Sequence, residues 1–114
     1  MTKKMTVQEL VDETRQLHER FKELESRPWT IETYAIELLA EAGTLADSIM
    51  IQEGYRQLRP GQELDLKDDI CDILFVLIMI ANYYDISLED AYASMLRETF
   101  EKLDKRDSKT KASG

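Results

Sequence analysis

The stretch Ile73-Leu-Phe-Val-Leu-Ile-Met-Ile-Ala81 constrains this chain more than any other: it is nine apolar residues without interruption. At 3.6 residues per turn such a run is apolar on every side, whereas a surface helix is apolar along one stripe. It is too short to cross a bilayer, which takes roughly 20 residues, so protein must cover it. A chain of 114 residues builds one core, not two. Three further helices can wrap part of the run, and a second copy of the chain is the natural source of the rest. A homodimer or a dimer of dimers is therefore expected. The competing account is a monomer with this helix wholly buried at its centre.

Helices are the elements the rest of the sequence favours. Four glycines and two prolines are too few for a strand-and-turn fold. Thr6-Val-Gln-Glu9 has the pattern of a capping box. Val7, Leu10, Val11, Thr14, Leu17, Phe21 and Leu24 then keep one helical stripe, which ends near Ser26-Arg27-Pro28. Thr30 is the expected N-cap of a second helix from Ile31 to about Gly54. Gly43 lies inside it, at a cost of roughly 1 kcal/mol relative to alanine. The main loop spans Gly54 to Glu63 with Pro60-Gly61 at its turn, Asp65 caps a third helix reaching about Tyr84, and Ser87 starts a fourth. That last helix carries Ala91, Met95, Leu96, Phe100 and Leu103. The reading is all-α: one four-helix bundle domain over residues 1–104, with residues 105–114 as a flexible, frayed tail.

The net charge is −8, with a pI near 4.7. Such a chain repels a nucleic-acid polymer, although a single nucleotide can bind where cations offset its phosphates. The lone cysteine, Cys71, rules out an intrachain disulfide and suits a reducing compartment. The N-terminus has no apolar signal core. A cytoplasmic protein with no membrane span is expected.

Chemistry points to four acids, Glu37, Glu41, Asp69 and Asp72. On the second helix Glu37, Glu41 and Thr44 share one stripe; on the third, Asp65, Asp69 and Asp72 do the same, with Asp68 at its edge. A short connection favours antiparallel packing, which lets the stripes face each other. Carboxylates set among apolar residues are costly unless compensated, and a divalent cation supplies that compensation. Oxygen-only ligands select Mg²⁺, with Mn²⁺ as the alternative. The competing account is a solvated acidic face or helix N-terminal charge, which suits Asp65 and Asp68 best.

These residues carry a resemblance. Glu37-Leu-Leu-Ala-Glu-Ala-Gly-Thr-Leu-Ala-Asp-Ser-Ile49 resembles the first motif of the MazG-like all-α nucleotide pyrophosphohydrolases, and Asp68-Asp-Ile-Cys-Asp-Ile-Leu-Phe75 resembles the second. Arg27-Pro-Trp-Thr30 and Ala81-Asn-Tyr-Tyr-Asp-Ile-Ser-Leu-Glu-Asp-Ala91 resemble the flanking segments. The resemblance implies an oligomeric MazG-like bundle that hydrolyses nucleoside triphosphates to monophosphate and pyrophosphate with Mg²⁺. It implies Glu41, Asp69 and Asp72 as the catalytic, metal-binding acids. The sequence also departs from the family pattern. Thr44 stands where a second glutamate is usual, and Asp69 replaces a glutamate. Met95 and Thr99 fall where the last helix usually has Lys and Asn. Glu37, one turn before Glu41, is the expected substitute metal ligand for the charge Thr44 lacks.

Around these acids, Trp29, Arg56, Arg59 and Lys67 are candidate substrate contacts, the first for a base and the others for phosphates. Tyr55 is a second stacking candidate. His18 is expected to be exposed and Cys71 to pack rather than react. Two alternatives stay open: a nucleotide-sensing or assembly module with a decayed site, and a simple helical dimerisation protein.

Overall fold

The computed structural model describes residues 4–25, 27 and 29–113; Ser26 and Pro28, where the first helix is expected to end, lie outside the described residues. Four helices follow in order, α1 (Val7–Leu24), α2 (Ile31–Gln52), α3 (Leu66–Tyr83) and α4 (Leu88–Ser113), and no strand occurs among the described residues. Each start is set by a local side chain. Thr6 Oγ1 accepts from the Glu9 amide at 3.1 Å while Glu9 Oε1 accepts from the Thr6 amide, closing the capping box. Thr30 and Thr33 form the same reciprocal pair on α2. Asp65 Oδ1 accepts from the Asp68 amide at 3.1 Å and so caps α3.

The ends are equally local. Gly54, at φ +85°, turns the chain beyond α2. Gly61 takes φ +80° in the Arg59–Gln62 turn, closed by a 3.0 Å bond from the Gln62 amide to the Arg59 carbonyl. Pro60 followed by a glycine of positive φ is the chemistry that turn needs. After α3, Asp85 adopts φ +55° and the Ile86 amide reaches back to the Ala81 carbonyl at 2.9 Å. Aspartate tolerates that conformation better than most residues do.

α2 and α3 form the main contact. Tyr34 packs with Val76 and Met79, Glu41 meets Asp72, and Ser48 bonds Asp69. Positions that rise along α2 meet positions that fall along α3, so the pair is antiparallel. Tyr34, Val76 and Met79 are the buried cluster, with Ile31, Leu38, Phe75 and Ile80 against it. α1 lies on α3, where Arg15 Nη2 donates to Asn82 Oδ1 at 3.1 Å. α4 leaves α3 at 101° and touches α1, where the Gln8 amide donates to Glu89 Oε2 at 2.9 Å.

The chain is open. Its radius of gyration is 19.2 Å, against about 13 Å for a compact domain of this length. The all-apolar helix shows why. Val76, Ile78, Met79 and Ala81 are buried, but Ile70, Leu74 and Leu77, at i, i+4 and i+7, remain 41–55% exposed. One chain covers one side of α3, so the wholly buried monomer does not hold. No single helix among the described residues is long and apolar enough to cross a membrane.

The stretch from Asp104 is a correction. α4 continues to Ser113, so the segment expected to fray is helical. Nothing from Leu88 onward breaks a helix before Gly114, and Glu98–Lys102 and Glu101–Lys105 have the spacing and order that support one. Residues 104–109 are helical yet exposed, so forming the helix there does not require burying an apolar stripe.

Candidate functional site

The antiparallel register brings one face of α2 against one face of α3. A cavity of about 170 Å³ lies between them, lined by the acids Glu37, Glu41 and Asp72 together with Trp29, Tyr34, Phe75 and Val76. Three of the four expected acids therefore share a wall. Glu41 is central, within hydrogen-bond reach of both Glu37 and Asp72. Two carboxyl groups can bond only if one holds a proton. The Glu37 contact, then burial, then the nearby Asp72 charge push Glu41 up to about 7. Asp72 is raised by burial and by the charges of Asp68 and Asp69, while its bond from Glu41 pulls it down. The Asp72 charge raises Glu41 while the bond from Glu41 lowers Asp72, so of the pair Glu41 keeps its proton to the higher pH.

This proton has a measurable consequence. Between pH 4.5, the ordinary glutamate value, and about 7 the folded protein holds a proton on Glu41 that the unfolded chain has released. Metal-free protein should therefore lose stability as pH rises through that window. Asp72 acts in the same direction. His18, lowered first by burial and then by Lys22, acts oppositely near its ordinary value. Urea midpoints at about pH 5 and about pH 7.5, for wild type and Glu41→Gln, isolate the glutamate because His18 titrates in both. The wild-type midpoint should fall further, and identical pH dependence would exclude the shared proton.

Asp69 is not on the cavity wall. Its Oδ2 accepts from Ser48 Oγ at 2.5 Å, although its charge is felt by both Glu41 and Asp72. Thr44 is turned away too, its hydroxyl donating to the Ala40 carbonyl of its own helix at 3.1 Å. Among the described residues no three Asp, Glu, His or Cys side chains stand together as a ready-made metal cage. On α4, Thr99 Oγ1 bonds the Met95 carbonyl at 2.8 Å.

The expected phosphate contacts are placed differently. Arg56 Nη1 and Arg59 Nη2 both reach Asp47, at 2.8 and 3.0 Å, and Gln62 Nε2 joins them at 3.3 Å. Asp47 is held below the usual carboxylate range, first by Arg56 and then by Gln62. These guanidiniums tie the α2–α3 loop to α2 and do not line the cavity. Nor do Lys67 and Tyr55, the latter 77% exposed. Cys71, expected to pack, is exposed.

The aromatic wall is larger than its sequence suggests. Trp29 and Tyr34 also line a second cavity of about 200 Å³, with His18, Phe21, Glu25 and Phe75. The Trp29 and Tyr34 ring centroids are 5.4 Å apart. Tyr34 Oη and His18 Nε2 are 3.0 Å apart, so His18 is half-buried against an aromatic partner rather than exposed. Its place beside Leu17 on α1 hides this, because the partner is 16 residues away. Asp47 and Ser48 are likewise invisible as site neighbours until the helices pack.

With this geometry in hand, likeness to known proteins is informative. Residues 29–110 match the model of the MazG nucleotide pyrophosphohydrolase domain. The chain belongs to the MazG family. Among solved structures it is similar to the candidate pyrophosphatase YPJD from Bacillus subtilis, with 26% identity and a TM-score of 0.69, over 86% of this chain and 96% of that one. No curated protein matches. The MazG match covers both acidic stripes, Trp29 and nearly all of α4, and begins after α1. The α2–α3 pair with its acids is thus the family's own part of the chain.

Proposed function

We propose that this MazG-family protein is a Mg²⁺-dependent nucleoside triphosphate pyrophosphohydrolase, releasing a nucleoside monophosphate and pyrophosphate. The observation that carries the reading is the cavity shared by Glu37, Glu41 and Asp72 and faced by Trp29. The donor set fits a hard cation: it is oxygen-only and partly buried, and Glu41 is pushed up to about 7 by its Glu37 contact, then by burial, then by the neighbouring charges. Glu41 and Asp72 are the principal ligands, with Glu37 beside them and Asp69 acting from behind the wall. Mn²⁺ suits the same donors. When bound, the cation neutralises phosphate charge and stabilises the departing pyrophosphate.

The chain's own groups supply the rest. Water attacks the α-phosphorus, the new P–O bond forms as the bond to the bridging oxygen breaks, and the water proton passes to Glu37, the carboxylate of this wall least committed to the cation. Trp29 offers a flat face for the base, with the tilted Tyr34 ring beside it. A second copy of the chain is the proposed cover for Ile70, Leu74 and Leu77, which one chain leaves open.

Pyrophosphate release from a panel of nucleoside triphosphates at millimolar Mg²⁺ tests the reading. Release should occur and be lost in Asp72→Asn. Folded protein that turns over none of them would overturn it. A second reading, nucleotide binding without cleavage, draws on Thr44, whose hydroxyl is engaged by Ala40, and on Met95 and Thr99. It predicts calorimetric binding with no product.

A further inference from the structure

We propose that Ser48 is a positioning residue that sets the divalent-cation affinity of the acidic cavity by fixing the carboxylate of Asp69. The inference rests on the metal-dependent reading above.

Ser48 stands apart from three threonines inside the helices. Thr14, Thr44 and Thr99 each donate to the carbonyl four residues back, at 2.7, 3.1 and 2.8 Å. That is the usual resting place of a mid-helix hydroxyl. Ser48 instead crosses from α2 to α3 and donates to Asp69 Oδ2 at 2.5 Å, the length of a charge-assisted bond to a carboxylate. It is also the buried polar residue of the described chain, at 4% exposure. A buried hydroxyl needs a partner, and this one takes the acid that stands one turn from Asp72 on the same face.

Asp69 is short, with two side-chain torsions, so one strong bond to Oδ2 fixes the plane of its carboxylate and leaves Oδ1 unengaged by Ser48. Its charge reaches both Glu41 and Asp72, so its orientation alters the field in which they hold a cation. A group one step removed from the ion, as Asp69 is here, typically changes metal affinity 10–100-fold, and Ser48 acts through it. A serine whose only task was packing would have no such effect.

The test is Mn²⁺ binding to the full chain, followed by electron paramagnetic resonance, in wild type, Ser48→Ala, Ser48→Thr, Asp69→Asn and the double variant Ser48→Ala/Asp69→Asn. Ser48→Ala should weaken Mn²⁺ binding about tenfold, the lower end of that range, and Ser48→Thr, which keeps the hydroxyl, should recover most of the loss. The double variant should be no weaker than Asp69→Asn alone, because Ser48 acts through that carboxylate. Unchanged or tighter binding in Ser48→Ala, or losses that add in the double variant, would overturn the proposal while leaving a wild-type metal site intact. Wild-type protein that binds no Mn²⁺ would overturn the metal-dependent reading and this inference with it.

Discussion

Glu41→Gln should reduce pyrophosphate release by more than about a hundredfold. Loss of a group one bond removed from a metal already costs roughly 10–100-fold, and in the proposed site Glu41 touches the ion directly. The substitution preserves volume and can still bond Glu37 and Asp72, so folding should survive. What goes is the anionic ligand that Glu41 would become once a cation displaced its proton, at the point where it meets both other acids. Glu37→Gln, at the edge of the same wall, should cost about tenfold, near the lower end of that range. Steady-state release at saturating and at limiting Mg²⁺ checks both. If added metal restored Glu41→Gln fully, the loss would lie in affinity alone; activity within tenfold of wild type at every Mg²⁺ concentration would remove Glu41 from the site.

The second large effect concerns the core. Met79→Ala should destabilise the protein by about 2–5 kcal/mol, the usual cost of a large-to-small change in a packed interior. Met79 is 5% exposed and packs with Tyr34 and Val76, and few other side chains are buried as deeply. In a fold stabilised by roughly 5–15 kcal/mol, that is a large share. Met79→Leu, which keeps the volume, should cost under about 1.5 kcal/mol. Urea unfolding should show a lower midpoint with an unchanged slope for Met79→Ala. A loss under about 1 kcal/mol would place the stabilising contacts elsewhere, outside the α2–α3 seam.

Much of this protein is written locally and is legible without a fold. Helix starts follow from Thr6, Thr30 and Asp65, each of which bonds an amide three residues ahead. The stops follow from glycine and from the Asp85 turn. The acidic stripes follow from helical spacing alone, because Glu37 and Glu41 lie one turn apart whatever surrounds them. Where α4 ends was harder to see: residues without an apolar stripe can still be helical, since propensity and i,i+4 charge pairs suffice where packing is absent.

Tertiary structure decided the rest, because hydrogen bonds and charge contacts depend on which faces meet. It separated the four acids, setting Glu37, Glu41 and Asp72 around one cavity and turning Asp69 toward Ser48. It gave Arg56 and Arg59 to Asp47 and His18 to Tyr34, partners 9, 12 and 16 residues away that no periodicity announces. The apolar run from Ile73 to Ala81 required cover on every side by composition alone. Only the packed chain shows which side is covered, because a helix that is apolar all round carries no stripe to say which face turns inward.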